Sequence, residues 1–73
     1  MSDIKMLTAI QEILSDMGVD FDEINAETHL ENELGIDSTE MVELVLNLER
    51  KFNTRFEKNK INTVGNIINS IKN

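Results

Sequence analysis

Met41, Val45, Leu48 and Phe52 return every three to four residues. That spacing lines one side of an α-helix and does not fit the period of two that a strand requires. The same period recurs at Ile4, Leu7, Ile10, Ile13/Leu14 and Met17, and again at Val64, Ile67, Ile68 and Ile71. Helices are therefore expected over about 3–17, over 38–52, and over a last stretch opened by Asn62 or Thr63. Ser2 or Asp3 can cap the first, and Gly18 is placed to end it. In the middle helix Val42, Leu44 and Leu46 widen the stripe into the broad apolar surface of a helix packed between others. Glu40, Glu43, Asn47 and Arg50 lie towards its opposite side. The core is built of Ile, Leu, Val and Met with only three Phe, which suits a helical bundle better than a sheet. The expected fold class is all-α: a small up-down bundle of three main helices.

Two connections complete the chain. Residues 18–36 break the helical period, with Phe21, Ile24, Leu30, Leu34 and Ile36 scattered among acids. So long a connection in a small domain is unusual unless it packs its own side chains or serves a function. It is expected to be an ordered loop pinned by those five residues. The segment NTRFEKNK can hold at most a short helical turn. With 73 residues and no cysteine, one domain over 1–73 must live on its apolar core alone, near the lower size limit. The start does not look like a secretory signal, and no apolar run reaches the roughly 20 residues that span a bilayer. A cytoplasmic-type monomer is the expectation.

Charge is segregated. Residues 1–49 contain thirteen acids and one base, Lys5, whereas residues 50–73 contain six bases and one acid, Glu57. An acidic body repels phosphate backbones, which argues against nucleic acid as the main ligand. It steers partners that present Lys/Arg patches.

The stretch GIDSTE, residues 35–40, holds the candidate site. Asp37 and Glu40 have the spacing of a capping box. If Asp37 caps, Ser38 falls at the first helical position, where its hydroxyl can face solvent in the positive field of the helix start. That field favours a covalently attached anion such as a phosphate ester. The other reading makes Ser38 or Thr39 the cap and nothing more. His29 is the one histidine, too little for a hydrolytic triad or a zinc site. The loop DFDEINAETHLE places Asp20, Asp22 and Glu31 at EF-hand positions, but Ile24 and Asn25 replace a ligand and the turn glycine. No metal and no catalytic residue are expected.

Taken together, LGIDSTEMVELVLNLERKF (34–52) resembles the acyl carrier protein family, which has a D-S-L signature opening an apolar, acid-flanked helix that closes on Phe. Asp37-Ser38 match the signature, and INTVGNIINSI (61–71) is similar to the family's last helix. The resemblance implies that Ser38 receives 4′-phosphopantetheine from coenzyme A through a phosphopantetheinyl transferase. The arm's thiol then holds acyl groups as thioesters, and the protein itself catalyses nothing. It further implies docking through Asp37, Thr39, Glu40, Glu43 and Glu49 on basic patches of the transferase and of acyl-loading, condensing and acyl-processing enzymes. The bundle interior is implied as a shelter for the acyl chain. Thr39 departs from the usual Leu, and Arg50, Lys51, Arg55, Lys58 and Lys60 replace a stretch that is typically acidic in fatty-acid carriers. Those departures weaken the case for general fatty-acid synthesis and leave room for a dedicated pathway, such as a polyketide or mixed peptide system. Fatty-acid, polyketide and mixed-pathway enzymes all stay open as partners. The competing reading is an unmodified acidic interaction module, which would tolerate alanine at position 38.

Overall fold

The computed structural model describes residues 3–72. Helix α1 spans Asp3–Asp16, α2 spans Ser38–Phe52 and α3 spans Val64–Lys72, with a 3-10 turn at Lys58–Lys60. Helix α1 packs on both α2 and α3. The fold class is thus the all-α bundle expected, and among the described residues the one β-type pairing is an isolated bridge between His29 and Thr63. Among the same residues, no helix is long and apolar enough to cross a membrane.

Each helix end has a local cause. Asp3 lies inside α1 rather than capping it, and Ser2 lies outside the described residues. After Asp16 the chain turns left-handed at Gly18, with φ +82°. The Gly18 amide donates to the Ser15 carbonyl and the Val19 amide to that of Leu14, both at 3.0 Å. This is a Schellman ending, which satisfies carbonyls that the helix leaves orphaned. Asn53 ends α2 in the left-handed region, at φ 51°, a conformation that Asn tolerates better than most side chains. At α3 the choice between two caps resolves to Thr63. Its Oγ1 accepts from the Asn66 amide at 3.2 Å, while Asn66 Oδ1 accepts from the Asn62 and Thr63 amides at 2.9 and 3.0 Å.

The core draws on all three helices and on the connections between them. Met6, Ile10, Leu14, Leu30, Leu44, Leu48, Ile61, Val64 and Ile67 are fully buried. Two expectations need correction. In α1 the buried face is Met6, Ala9, Ile10, Ile13 and Leu14, whereas Ile4 is 77% exposed. A 3.6-residue period tolerates either choice of edge, and what covers the face decides. In α2, Leu44 joins Met41, Val45 and Leu48 inside, but Val42 and Leu46 stand 47% and 48% exposed. The helix is covered on one side, so the apolar stripe runs past the edge of the core.

The long first connection is ordered as expected. Ile24, Leu30 and Ile36 are buried, and Phe21 and Leu34 pack against the same cluster. Hydrogen-bonded turns fill residues 29–35, with the Glu33 and Leu34 amides on the His29 carbonyl and Gly35 on Glu31. The loop is also fastened to the start of α3. The Val64 amide donates to the Thr28 carbonyl at 3.0 Å, Gly65 to Ala26 at 2.8 Å, and Leu30 to Asn62 at 2.9 Å. Two of the amides that open α3 thus find partners in a distant loop. At Gly65 the approach is so close that an added Cβ would lie 2.8 Å from the Ala26 carbonyl oxygen.

Candidate functional site

The start of α2 is built by Asp37. Its backbone is extended, and its Oδ1 accepts from the Glu40 amide at 2.8 Å. Glu40 Oε1 accepts in return from the Asp37 amide at 3.1 Å. Both halves of the capping box are present, which answers the question that three competing caps raised. Ile36 and Met41 flank the box at the positions of a hydrophobic staple, and both are buried. Gly35, at φ +70°, turns the chain into this start.

With capping assigned to Asp37, Ser38 is the first residue of α2 and its side chain is exposed. Among the described residues its hydroxyl has no hydrogen-bond partner, and the Ser38 and Thr39 amides have none either. An unengaged hydroxyl therefore sits beside two orphan donors at the positive end of the helix. Ser38 borders a groove of about 210 Å³, which it shares with Glu31, Asp37, Met41, Lys58, Asn59 and Asn62. His29 does not line that groove. It lies exposed in the loop, its amide donating to Glu33 Oε1 at 3.0 Å.

The expected docking residues fall into two groups. Thr39 and Glu43 are exposed and share one face of α2 with Val42, Leu46 and Arg50, since these positions follow the helical i, i+3, i+4, i+7 spacing. Glu40 is half-buried, and one of its oxygens serves the cap. Glu49, eleven residues beyond Ser38, lies about 16 Å along the helix from it. It accepts from the Phe56 amide through Oε2 at 3.0 Å, so it also holds the chain leaving α2. Sequence reasoning missed that bond, and it missed Lys58, Asn59 and Asn62 as part of the groove's lining. In the sequence Lys58 reads only as one of a basic run. Among the described residues no three His, Asp or Glu side chains converge on a possible metal position. The loop first tested as a calcium loop is closed by its own bonds, Asn25 Oδ1 accepting from Glu27 and Thr28 Oγ1 from Asn25.

The cap is testable on its own. Asp37→Ala should lower stability by about 1 kcal/mol, seen as a fall in Tm of roughly 4–8 °C for a domain of this size. Asp37→Asn should recover most of it, because Asn caps nearly as well. Equal melting of wild type and Asp37→Ala by circular dichroism would mean the box contributes nothing.

The family described as "Phosphopantetheine attachment site" matches residues 7–71. The chain is also similar to the acyl carrier protein of Clostridium acetobutylicum, with 36% identity covering 86% of this chain and 87% of the relative. The start of α2 fits a phosphate-linked arm. It offers a solvent-facing hydroxyl free of structural duty, two unpaired amides, and a groove whose lining includes a lysine. Both by its match over almost its whole length and by the architecture around that helix start, the chain belongs to the acyl carrier protein family, whose cofactor is covalently attached 4′-phosphopantetheine.

Proposed function

We propose that this protein carries acyl groups on a phosphopantetheine arm attached to Ser38, and that it has no catalytic activity of its own. The observation that carries the assignment is the complete capping box: Asp37 and Glu40 satisfy each other's amides and leave the exposed Ser38 hydroxyl unengaged. In the loading step the Ser38 Oγ–P bond forms and the pyrophosphate bond of coenzyme A breaks. Adenosine 3′,5′-bisphosphate leaves, and the serine proton passes to a base of the transferase. The arm supplies a thiol for thioester formation, which a cysteine-free chain lacks. What the chain contributes is placement: a rigid helix start that holds the attachment point at the surface, beside acids that partners can read.

Docking uses the exposed face of α2. Asp37 and Glu43, with the free oxygen of Glu40, meet basic patches, and Val42 and Leu46 give the apolar contact that Thr39 does not. Glu49 takes part at the far end of the helix. Partners of this kind are the phosphopantetheinyl transferase and the enzymes that load, condense or modify the acyl group. Beyond Glu49 the sign reverses, since Arg50, Lys51, Arg55 and Lys58 are all exposed. That reversal favours enzymes of a dedicated pathway, such as polyketide or mixed peptide assembly, over general fatty-acid synthesis.

The test is intact mass after incubation with coenzyme A and a broad-specificity transferase. A gain of one phosphopantetheine supports the carrier reading. No gain with several transferases and a folded protein would favour an unmodified acidic interaction module. Docking predicts a salt dependence: affinity for the transferase should fall several-fold as the Debye length shrinks from about 30 Å to about 3 Å between 0.01 M and 1 M salt. An affinity indifferent to salt would remove the acidic face from recognition.

A further inference from the structure

We infer that the groove beside Ser38 is a resting seat for the near end of the arm, with the Lys58 ammonium opposite its phosphodiester. This rests on attachment at Ser38. The groove's lining holds groups that suit the chemistry of that end of the arm. Lys58 supplies a cation. It makes no ion pair among the described residues, whereas its neighbour Lys60 is paired with Glu57 at 3.5 Å. Met41 is a flexible, polarizable side chain in the groove's lining, suited to the geminal methyl groups that follow the phosphate. It is 3% exposed. The Asn59 and Asn62 side-chain amides have no partner among the described residues, and each can both donate to and accept from the arm's hydroxyl and amides. The groove, at about 210 Å³, is too small for the whole arm with its cargo. Only the attached end is seated, and the thiol end stays outside.

Charge decides why Lys58 matters. The same groove is lined by the Glu31 and Asp37 carboxylates, so an added phosphodiester would be a third anion. Lys58 is the cation that faces it. A tethered group is present at a high effective concentration beside its own anchor, so contacts too weak to hold free phosphopantetheine still populate the seat. A seat held mainly by one exposed ion pair is also easily vacated. A partner's Lys/Arg patch can replace Lys58 as counter-charge when it docks, which releases the arm toward that partner.

The test compares amide spectra of the unmodified and phosphopantetheinylated full chain by 1H–15N NMR, with loading followed to completion by intact mass. Expected are attachment-induced shifts at Lys58, Asn59 and Asn62, including the Asn side-chain amides, in addition to residues 37–40. In Lys58→Glu, compared only once intact mass shows full loading, these distant shifts should fall by more than half, and Lys58→Arg should retain them. They should also fade at about 1 M salt, where the Debye length is about 3 Å. Shifts confined to residues 37–40 in wild type, or undiminished in Lys58→Glu, would overturn the seat while leaving the carrier reading intact. Absence of any mass gain would overturn attachment at Ser38 and the seat with it. The unmodified Lys58→Glu spectrum, matching wild type away from the 3-10 turn, controls for folding.

Discussion

Ser38→Ala is expected to abolish the mass gain of one phosphopantetheine completely, whereas Thr39→Ala keeps it. The two hydroxyls are neighbours, and both are exposed. They differ in surroundings: Ser38 borders the groove with Lys58 and the two asparagines, and Thr39 does not. Ser38 is also the residue immediately after the cap, so a phosphate attached there meets the orphan amides of the first turn. Because capping belongs to Asp37, Ser38→Ala removes no structural bond, and its stability should stay within about 0.5 kcal/mol of wild type. That combination separates chemistry from folding. A gain surviving in Ser38→Ala would move attachment to Thr39 first. A large fall in Tm without Ser38 would instead return the hydroxyl to a structural role.

The second large effect is expected far from that serine. Gly65→Ala should destabilise the protein by about 1–3 kcal/mol, as overpacking does, although alanine is the better helix former by about 1 kcal/mol. The new Cβ would lie 2.8 Å from the Ala26 carbonyl oxygen. That oxygen cannot retreat without lengthening its own hydrogen bond from the Gly65 amide, also 2.8 Å. A domain of this size holds only about 4–11 kcal/mol in total, so the loss is a large share of it. The measure is the urea midpoint at unchanged slope. Gly35→Ala makes a useful contrast, since nothing lies within 4 Å of its added Cβ and only the φ of +70° resists the change. A Gly65→Ala protein as stable as wild type would mean that loop and helix do not meet so closely.

What the sequence made legible was what short range determines. The box at Asp37 and Glu40 joins residues three apart, within reach of one turn, so its spacing was legible as one of the possible caps, while apolar periodicity marked the span of α2. The five apolar anchors of the first loop were legible because an apolar side chain in an acidic stretch has few places to go other than the core. The exposure of Val42 and Leu46 was not legible, because periodicity says which residues share a face and is silent on what covers it. Gly65 reads as a poor helix residue until Ala26 is brought against it. Glu49 reads as one more surface acid until the chain doubles back after α2 and sets the Phe56 amide on its carboxylate. Lys58 likewise joins Ser38 only through the turn that brings both to one groove. Each of these depends on pairs the tertiary fold creates.

The joint between the first loop and α3 has a consequence for how the protein comes into being. Its bonds link residues 26–30 with residues 62–65, partners separated by half the chain. Such contacts return nothing until the intervening segment has closed, and the entropy of that closure must be met beforehand. During synthesis from the N-terminus, the loop would have to wait for the last helix before it could set. The groove beside Ser38 waits as well, because Asn62 forms part of its wall. The serine's helix can form early, but its surroundings are completed by the segment made last, so a nascent or truncated chain would present Ser38 without the landscape around it.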